Sequence, residues 1–243
     1  MENSRENGSF RIFIRRHYAD GSAKLEKCTV YRLGPEETDD AAALHDEVAK
    51  GVSRKIFAAS AYSEIERFLG EDGLAVGIRS CDKLVALRTL RMERRWADEA
   101  LEEYELNLDP DEAPAVTGFC VVDRAFRGNN VQYLTQYLIE NAVSERHTSI
   151  ITTVSPLNIF SLDNILVCNF RIIGIKEVYG GYLRYIMKKD FRSSLAPVRT
   201  HGHRQIGIRD TDAQIRAIEE GYVGYKLVRK HTEGFHILYA RTG

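Results

Sequence analysis

Thr117-Gly-Phe-Cys-Val-Val-Asp-Arg-Ala-Phe-Arg-Gly-Asn-Asn-Val-Gln132 is the stretch on which the reading of this 243-residue chain turns. Thr117 to Val122 is a run of apolar and β-favouring residues, and Val131, Leu134, Leu138 and Ala142 then recur at helical spacing. The order is strand, basic glycine turn, helix. A glycine turn that opens a helix leaves several main-chain N–H groups without intrahelical partners at the positive end of the helix dipole, where a phosphate can be held. Arg127 adds a fixed positive charge, and Gly128 lets a ligand approach the main chain closely. On spacing alone Arg-Gly-Asn-Asn reads equally well as a polar connection, because Asn and Gly tolerate left-handed backbone in any turn. The chain carries neither G-x-x-x-x-G-K-[ST] nor G-x-G-x-x-G after a strand, which argues against a nucleotide triphosphatase and a dinucleotide dehydrogenase.

Composition narrows the class. The length allows one good core, or one core plus a small appended unit. A net charge of −1 gives no field that recruits nucleic acid or an anionic membrane, so neither is expected as a partner. No apolar run approaches the roughly 20 residues of a membrane helix, and Met1 to Phe10 has no apolar signal region, so a cytoplasmic location is expected. Cys28, Cys81, Cys120 and Cys168 are far apart, with no C-x-x-C pair and no His at ligand spacing. They are expected to be buried reduced thiols, and no metal site is expected.

Working outward, Phe10 to Arg16 and Lys24 to Leu33 predict a leading hairpin, and Glu36 to Lys50 and Ala61 to Leu69 predict helices. Leu74 to Arg79 and Lys83 to Leu90 predict a second hairpin. Arg91 to Glu112, with nine Asp or Glu against three Arg, reads as a solvated connection, or else as an acidic rim that attracts a cationic substrate. After the central helix come a strand, Ser149 to Val154, and a short helix from Pro156 to about Val167 capped by Ser155. Phe170 to Glu177 and Tyr182 to Lys188 predict two more strands around Gly180-Gly181. Ser193 to His203 reads as a linker. Beyond it, Thr211 and Gln214 suggest a capping box for a helix ending at Gly221, followed by a hairpin of Tyr222 to Lys230 and Phe235 to Tyr239.

This order resembles the GNAT superfamily of acyl-CoA-dependent N-acetyltransferases, whose signature strand runs into R-x-x-G-x-G/A and then a helix. The turn reads here Phe126-Arg127-Gly128-Asn129-Asn130-Val131-Gln132. The family's next element is a strand, an Asn, a small residue three positions on, and a Gly-Phe pair about nine residues later; here these are Asn158, Ser161 and Asn169-Phe170. The resemblance implies an α/β (α+β) fold with a mixed, mostly antiparallel sheet flanked by helices. It spans roughly residues 30–190, so residues 1–190 including the hairpin are expected to form one domain, with 204–243, read from its own pattern, as a small helix-strand-strand extension packed on it. It also implies acetyl-CoA as co-substrate, with the main chain around Cys120 and Val122 along the pantetheine and acetyl carbonyl. Arg127, Gly128, Asn129, Asn130, Val131 and Gln132 would hold the pyrophosphate, and Asn158 and Ser161 the pantetheine end. The tyrosine that many members place four residues after the small residue is Ile165 in this chain, which cannot donate a proton.

The reaction so implied moves an acetyl or other short acyl group to a primary amine by direct attack in a ternary complex. The acidic 91–112 segment favours a cationic small molecule or peptide as acceptor. Glu112, with Asp111 beside it, is the candidate base acting through water; simple solvation at a loop end is the competing reading. Tyr133, Tyr179 and Tyr182 are candidate acids, against a packing role. An alternative, motivated by Ile165, is a non-catalytic acyl-CoA sensor. Arg204 to Gly243 either completes an acceptor pocket or pairs edge strands in a homodimer.

Overall fold

A computed structural model describes residues 8–109, 111–191 and 202–241. The sheet is mixed and mostly antiparallel, and the chain divides into two compact units. The first comprises residues 1–96 and 117–142, and the second residues 97–116 and 143–243.

The first unit opens with the hairpin of β1 (Phe10–His17) and β2 (Ala23–Arg32), in register from Phe10↔Val30 to His17↔Ala23. A 3-10 turn at Pro35–Glu37 leads into α1 (Thr38–Lys50), and α2 (Tyr62–Leu69) follows. Proline at the first position and glutamates beside it suit a helix entry, so the helical run begins at Pro35 and turns regular only at Thr38. The hairpin of β3 (Gly73–Ser80) and β4 (Lys83–Arg91) is almost wholly buried, which is why Leu, Val, Ile and Ala predominate in it rather than an alternating pattern, with Arg88 and Thr89 as buried polar exceptions. Next to β4 lies β5 (Pro114–Val122), whose residues from Thr117 onward belong to this unit together with α4 (Val131–Val143) up to Ala142. Phe68 sits at the centre of the core, with its ring 4.5 Å from that of Trp96 and 5.6 Å from that of Phe119.

In the second unit, Pro114 to Val116 of β5 pair in parallel with Ser149 to Ile151 of β6 (Ser149–Val154). After β6 come α5 (Ile159–Val167), β7 (Arg171–Val178), β8 (Tyr182–Asp190), β9 (Arg204–Gly207), α6 (Thr211–Glu219), β10 (Tyr222–Lys230) and β11 (Gly234–Arg241). The strand order is β5-β6-β8-β7-β10-β11-β9. The terminal hairpin joins β7 at Gly224↔Ile172, where a Cβ on Gly224 would stand 2.9 Å from the Ile172 side chain. Gln214 ties this region together. Its Oε1 accepts from the hydroxyls of Tyr185 and Tyr239, each at 2.8 Å, and its Nε2 donates to the carbonyls of Gly207 and Ile208 at 3.2 and 3.1 Å. Burial pushes both phenols above the ordinary tyrosine range.

Four expectations need correction, and a fifth lies largely outside the described residues. The 91–112 segment is not merely a solvated connection: α3 (Arg94–Glu103) buries Trp96, Ala97, Ala100 and Leu101, and Tyr104 just beyond it, at helical spacing beneath a charged outer face. The cap of α5 is Asn158, whose Oδ1 accepts from the Ser161 N–H, while Ser155-Pro156 forms a turn closed by Asn158 N–H to the Ser155 carbonyl. Asp210, not Thr211, caps α6, which frees Gln214 for the core. Cys81 is exposed at the β3–β4 turn with φ +49°, whereas Cys28 and Cys168 are buried and Cys120 is half-buried. The linker reading of Ser193 to His203 lies outside the described residues except for Gly202 and His203, and β9, which adds a strand beside β11, was not anticipated.

Candidate functional site

The turn between β5 and α4 is anchored at Asp123. Its main-chain N–H donates to the Val85 carbonyl at 2.8 Å, and its carboxylate accepts from the Ala125 N–H at 2.8 Å and from Lys83 Nζ at 2.7 Å. Burial works against the charged form of Asp123, but the bonds from Lys83 and Ala125 outweigh it and hold the carboxyl below the usual carboxylate range. Phe126 is buried beneath a short 3-10 turn, Arg124–Phe126, which fixes where the exposed part begins.

From Arg127 the chain turns outward. Gly128 takes φ +78° and Asn130 φ +56°, the left-handed region that glycine, then asparagine, occupies at least cost. A Cβ built on Gly128 would meet nothing within 4 Å, so the space above the turn is open. The Asn130 carbonyl starts the helix by accepting from the Leu134 N–H at 3.0 Å. Among the described residues, the N–H groups of Gly128, Asn129, Asn130 and Val131 meet no acceptor. Consecutive unpaired donors at the start of a 13-residue helix form an anion-binding surface. Beneath them, Arg88 of β4 donates to the Gln132 carbonyl and the Thr135 hydroxyl, each at 3.1 Å.

Asn129 has a role the sequence did not disclose. Its Oδ1 accepts from the Arg15 N–H at 3.1 Å and its Nδ2 donates to the Arg15 carbonyl at 2.7 Å, so the turn is pinned to the edge of β1. Charges nearby are distributed unevenly. Arg16 pairs with Glu26, Arg67 with Asp72, Arg79 with Asp40, Lys83 with Asp123 and Arg91 with Glu64. Arg15, Arg124 and Arg127 are exposed and meet no carboxylate among the described residues; the Arg127 Nε donates only to the Val122 carbonyl.

The strand leading into the turn is closely packed. A Cβ on Gly118 would fall 2.2 Å from the Phe68 ring, and the Thr89 hydroxyl accepts from the Phe119 N–H at 2.9 Å. Cys120 is half-buried near Thr135, and Val122 is buried. Thus Cys120, Val122 and residues 127–132 lie together in the first unit, whereas Glu112, Asn158 and Ser161 belong to the second.

No family model matches the sequence, and no curated protein does. Solved structures do match. One is an acetyltransferase of GNAT family from Streptococcus pneumoniae, at 13% identity and a TM-score of 0.51, covering 67% of this chain and 98% of that one. Another is Arabidopsis thaliana NAA60 in complex with acetyl-CoA, at 12% identity and a TM-score of 0.53, covering 68% and 99%. A third is the ribosomal-protein-S18-alanine N-acetyltransferase of Escherichia coli, at 13% identity and a TM-score of 0.51, covering 71% and 99%. The chain has the GNAT fold.

Within this GNAT fold the second unit carries its own group of polar residues. Asn158 caps α5 through Oδ1, and Ser161 lies in the first turn of that helix. Ile165 is buried. The Tyr179 hydroxyl, at the tip of the β7–β8 hairpin, bonds the Thr153 hydroxyl of β6 at 2.9 Å and the Tyr104 hydroxyl at 2.8 Å. Tyr179 itself takes φ +55°, and its N–H donates to the Glu103 carboxylate at 2.8 Å. Glu112 accepts from Lys188 Nζ in a partly buried ion pair. His203 bonds the Tyr225 hydroxyl at 3.1 Å, and no cluster that could hold a metal ion is found among the described residues. No helix there is long and apolar enough to cross a membrane.

Proposed function

We propose that the protein transfers an acetyl or other short acyl group from coenzyme A to a primary amine. The observation that carries this reading is the row of N–H groups from Gly128 to Val131, open among the described residues and flanked by Arg124 and Arg127, which meet no carboxylate there. Such a surface fits a pyrophosphate, because oriented amides and guanidinium groups bind anions without further rearrangement. The GNAT fold and the acetyl-CoA held by its Arabidopsis neighbour support the choice of donor. When bound, acetyl-CoA supplies an acyl group already activated as a thioester.

The chain's own groups take the remaining tasks. The amides of Gly128 to Val131 and the Arg127 guanidinium hold the diphosphate, with Gln132 following in the first turn of α4. The main chain around Cys120 and Val122 orients the arm and polarises the carbonyl, a role that needs N–H groups and no special side chain. Asn158 and Ser161 steady the pantetheine end. With Ile165 in the core, we assign the proton-donating role to the Tyr179 hydroxyl, which Thr153 and Tyr104 hold in place. Glu112 is the candidate base, acting through water at the cost of its pair with Lys188. The charged face of α3 favours a cationic acceptor.

Thiol release from acetyl-CoA, followed across polyamines, amino acids and peptides, tests the reading. Acceptor-dependent release is expected, and Tyr179→Phe should lower kcat at least about tenfold while CoA affinity holds. The buried Ile165 favours one rival, an acyl-CoA sensor. Tight CoA binding without turnover on any amine would replace the enzyme with that sensor.

A further inference from the structure

The leading hairpin carries an unexplained surface. Side chains alternate along a strand, so Arg11, Phe13, Arg15 and His17 share one face of β1, opposite Ile12, Ile14 and Arg16. All four are exposed, Phe13 at 69%, and across the register Lys27 stands opposite Phe13. An exposed phenyl ring flanked by cations presents a flat apolar face and positive charge side by side. Arg16, facing the other way, is neutralised by Glu26, but Arg11 and Arg15 meet no carboxylate among the described residues. This face is tied to the turn of α4, because both main-chain groups of Arg15 are held by Asn129. The main chain of Arg15 therefore lies against the turn that carries the row of open amides.

We propose that the hairpin forms a binding site for the nucleotide end of the donor. The Arg15 guanidinium pairs with the phosphate on the adenosine ribose, and Phe13 offers a face on which the adenine stacks. This rests on the donor reading above and names the part of coenzyme A that the hairpin recognises. A planar guanidinium suits a phosphate monoester, and base stacking on an aromatic ring is favourable for any purine.

Calorimetry with coenzyme A and 3′-dephospho-coenzyme A tests the site on the full chain. The wild-type protein should bind coenzyme A about tenfold more tightly than the dephospho form, the scale of one charge-assisted contact. Arg15→Ala should remove that preference by weakening coenzyme A alone, and Arg15→Lys should restore part of it. Both variants keep the main chain that Asn129 grips. Phe13→Ala should weaken both ligands alike, by about fivefold or more. Equal affinities for the two ligands in the wild type, or an Arg15→Ala effect on both alike, would overturn the inference and leave the donor reading standing. Failure of the wild type to bind either ligand would remove both.

Discussion

The Asp123 to Val131 turn and the surroundings of Gln214 both gather polar groups at the start of a helix, yet they are finished in opposite ways. Around Gln214, two hydroxyls and two carbonyls meet the two ends of one carboxamide, so its bonding capacity is taken up from within the protein. At the turn, only the foundation is satisfied: Asp123 is bonded to Ala125 and Lys83, and Asn129 to Arg15. Above it, four N–H groups stay open, and the Arg15, Arg124 and Arg127 side chains meet no carboxylate among the described residues. Buried groups satisfied from within specify a fold, whereas exposed donors held rigidly in one direction specify what can bind.

Gln214→Leu should have the largest effect. It strands two buried phenols and two carbonyls, and a stability loss of about 3 kcal/mol is expected in chemical denaturation. CoA affinity per folded molecule should be unchanged, and a parallel loss of binding would break the contrast. Gly128→Val comes next. A β-branched side chain at φ +78° is strained by about 1–2 kcal/mol, and its bulk stands where the ligand approaches, so CoA affinity should fall at least about thirtyfold.

Asn129→Ala sharpens the comparison from the side of the foundation. Two hydrogen bonds to Arg15 are lost, which should cost about 1 kcal/mol and speed hydrogen exchange at the Arg15 amide. Asp123→Asn should have the smallest effect, about 0.5–1 kcal/mol, because Lys83 is largely exposed and the Ala125 N–H can still bond an amide oxygen. The folded-state pKa of Asp123 is depressed, so the stability it adds is present above the unfolded value of about 3.9 and is lost as pH falls through the folded one. The gap between wild type and Asp123→Asn should therefore hold between about pH 5 and pH 8 and close in stronger acid.

Much of the architecture was legible because hairpins such as β1–β2 and β3–β4 advertise themselves through β-rich runs broken at turns. In the segment before β5, Trp96 and Tyr104 were legible as a small core, but the helix that carries them was not, because the dense charges mask the helical spacing of Trp96, Ala97, Ala100, Leu101 and Tyr104. Two departures from the family pattern prove conformationally conservative: Asn130 and Asn169 stand where glycines were expected and take φ +56° and +68°. Asn129 and Gln214 were not legible in their true roles, since their partners lie far along the chain. No local pattern announces a carboxamide that binds the main chain of Arg15, or one that joins Tyr185 to Tyr239.

Amide hydrogen exchange with and without coenzyme A reaches the central claim most directly. The account predicts that the N–H groups of Gly128, Asn129, Asn130 and Val131 exchange at least about tenfold more slowly with the ligand present, while amides around Gln214 do not change. Saturating coenzyme A with those four amides still exchanging at their free rate would contradict it.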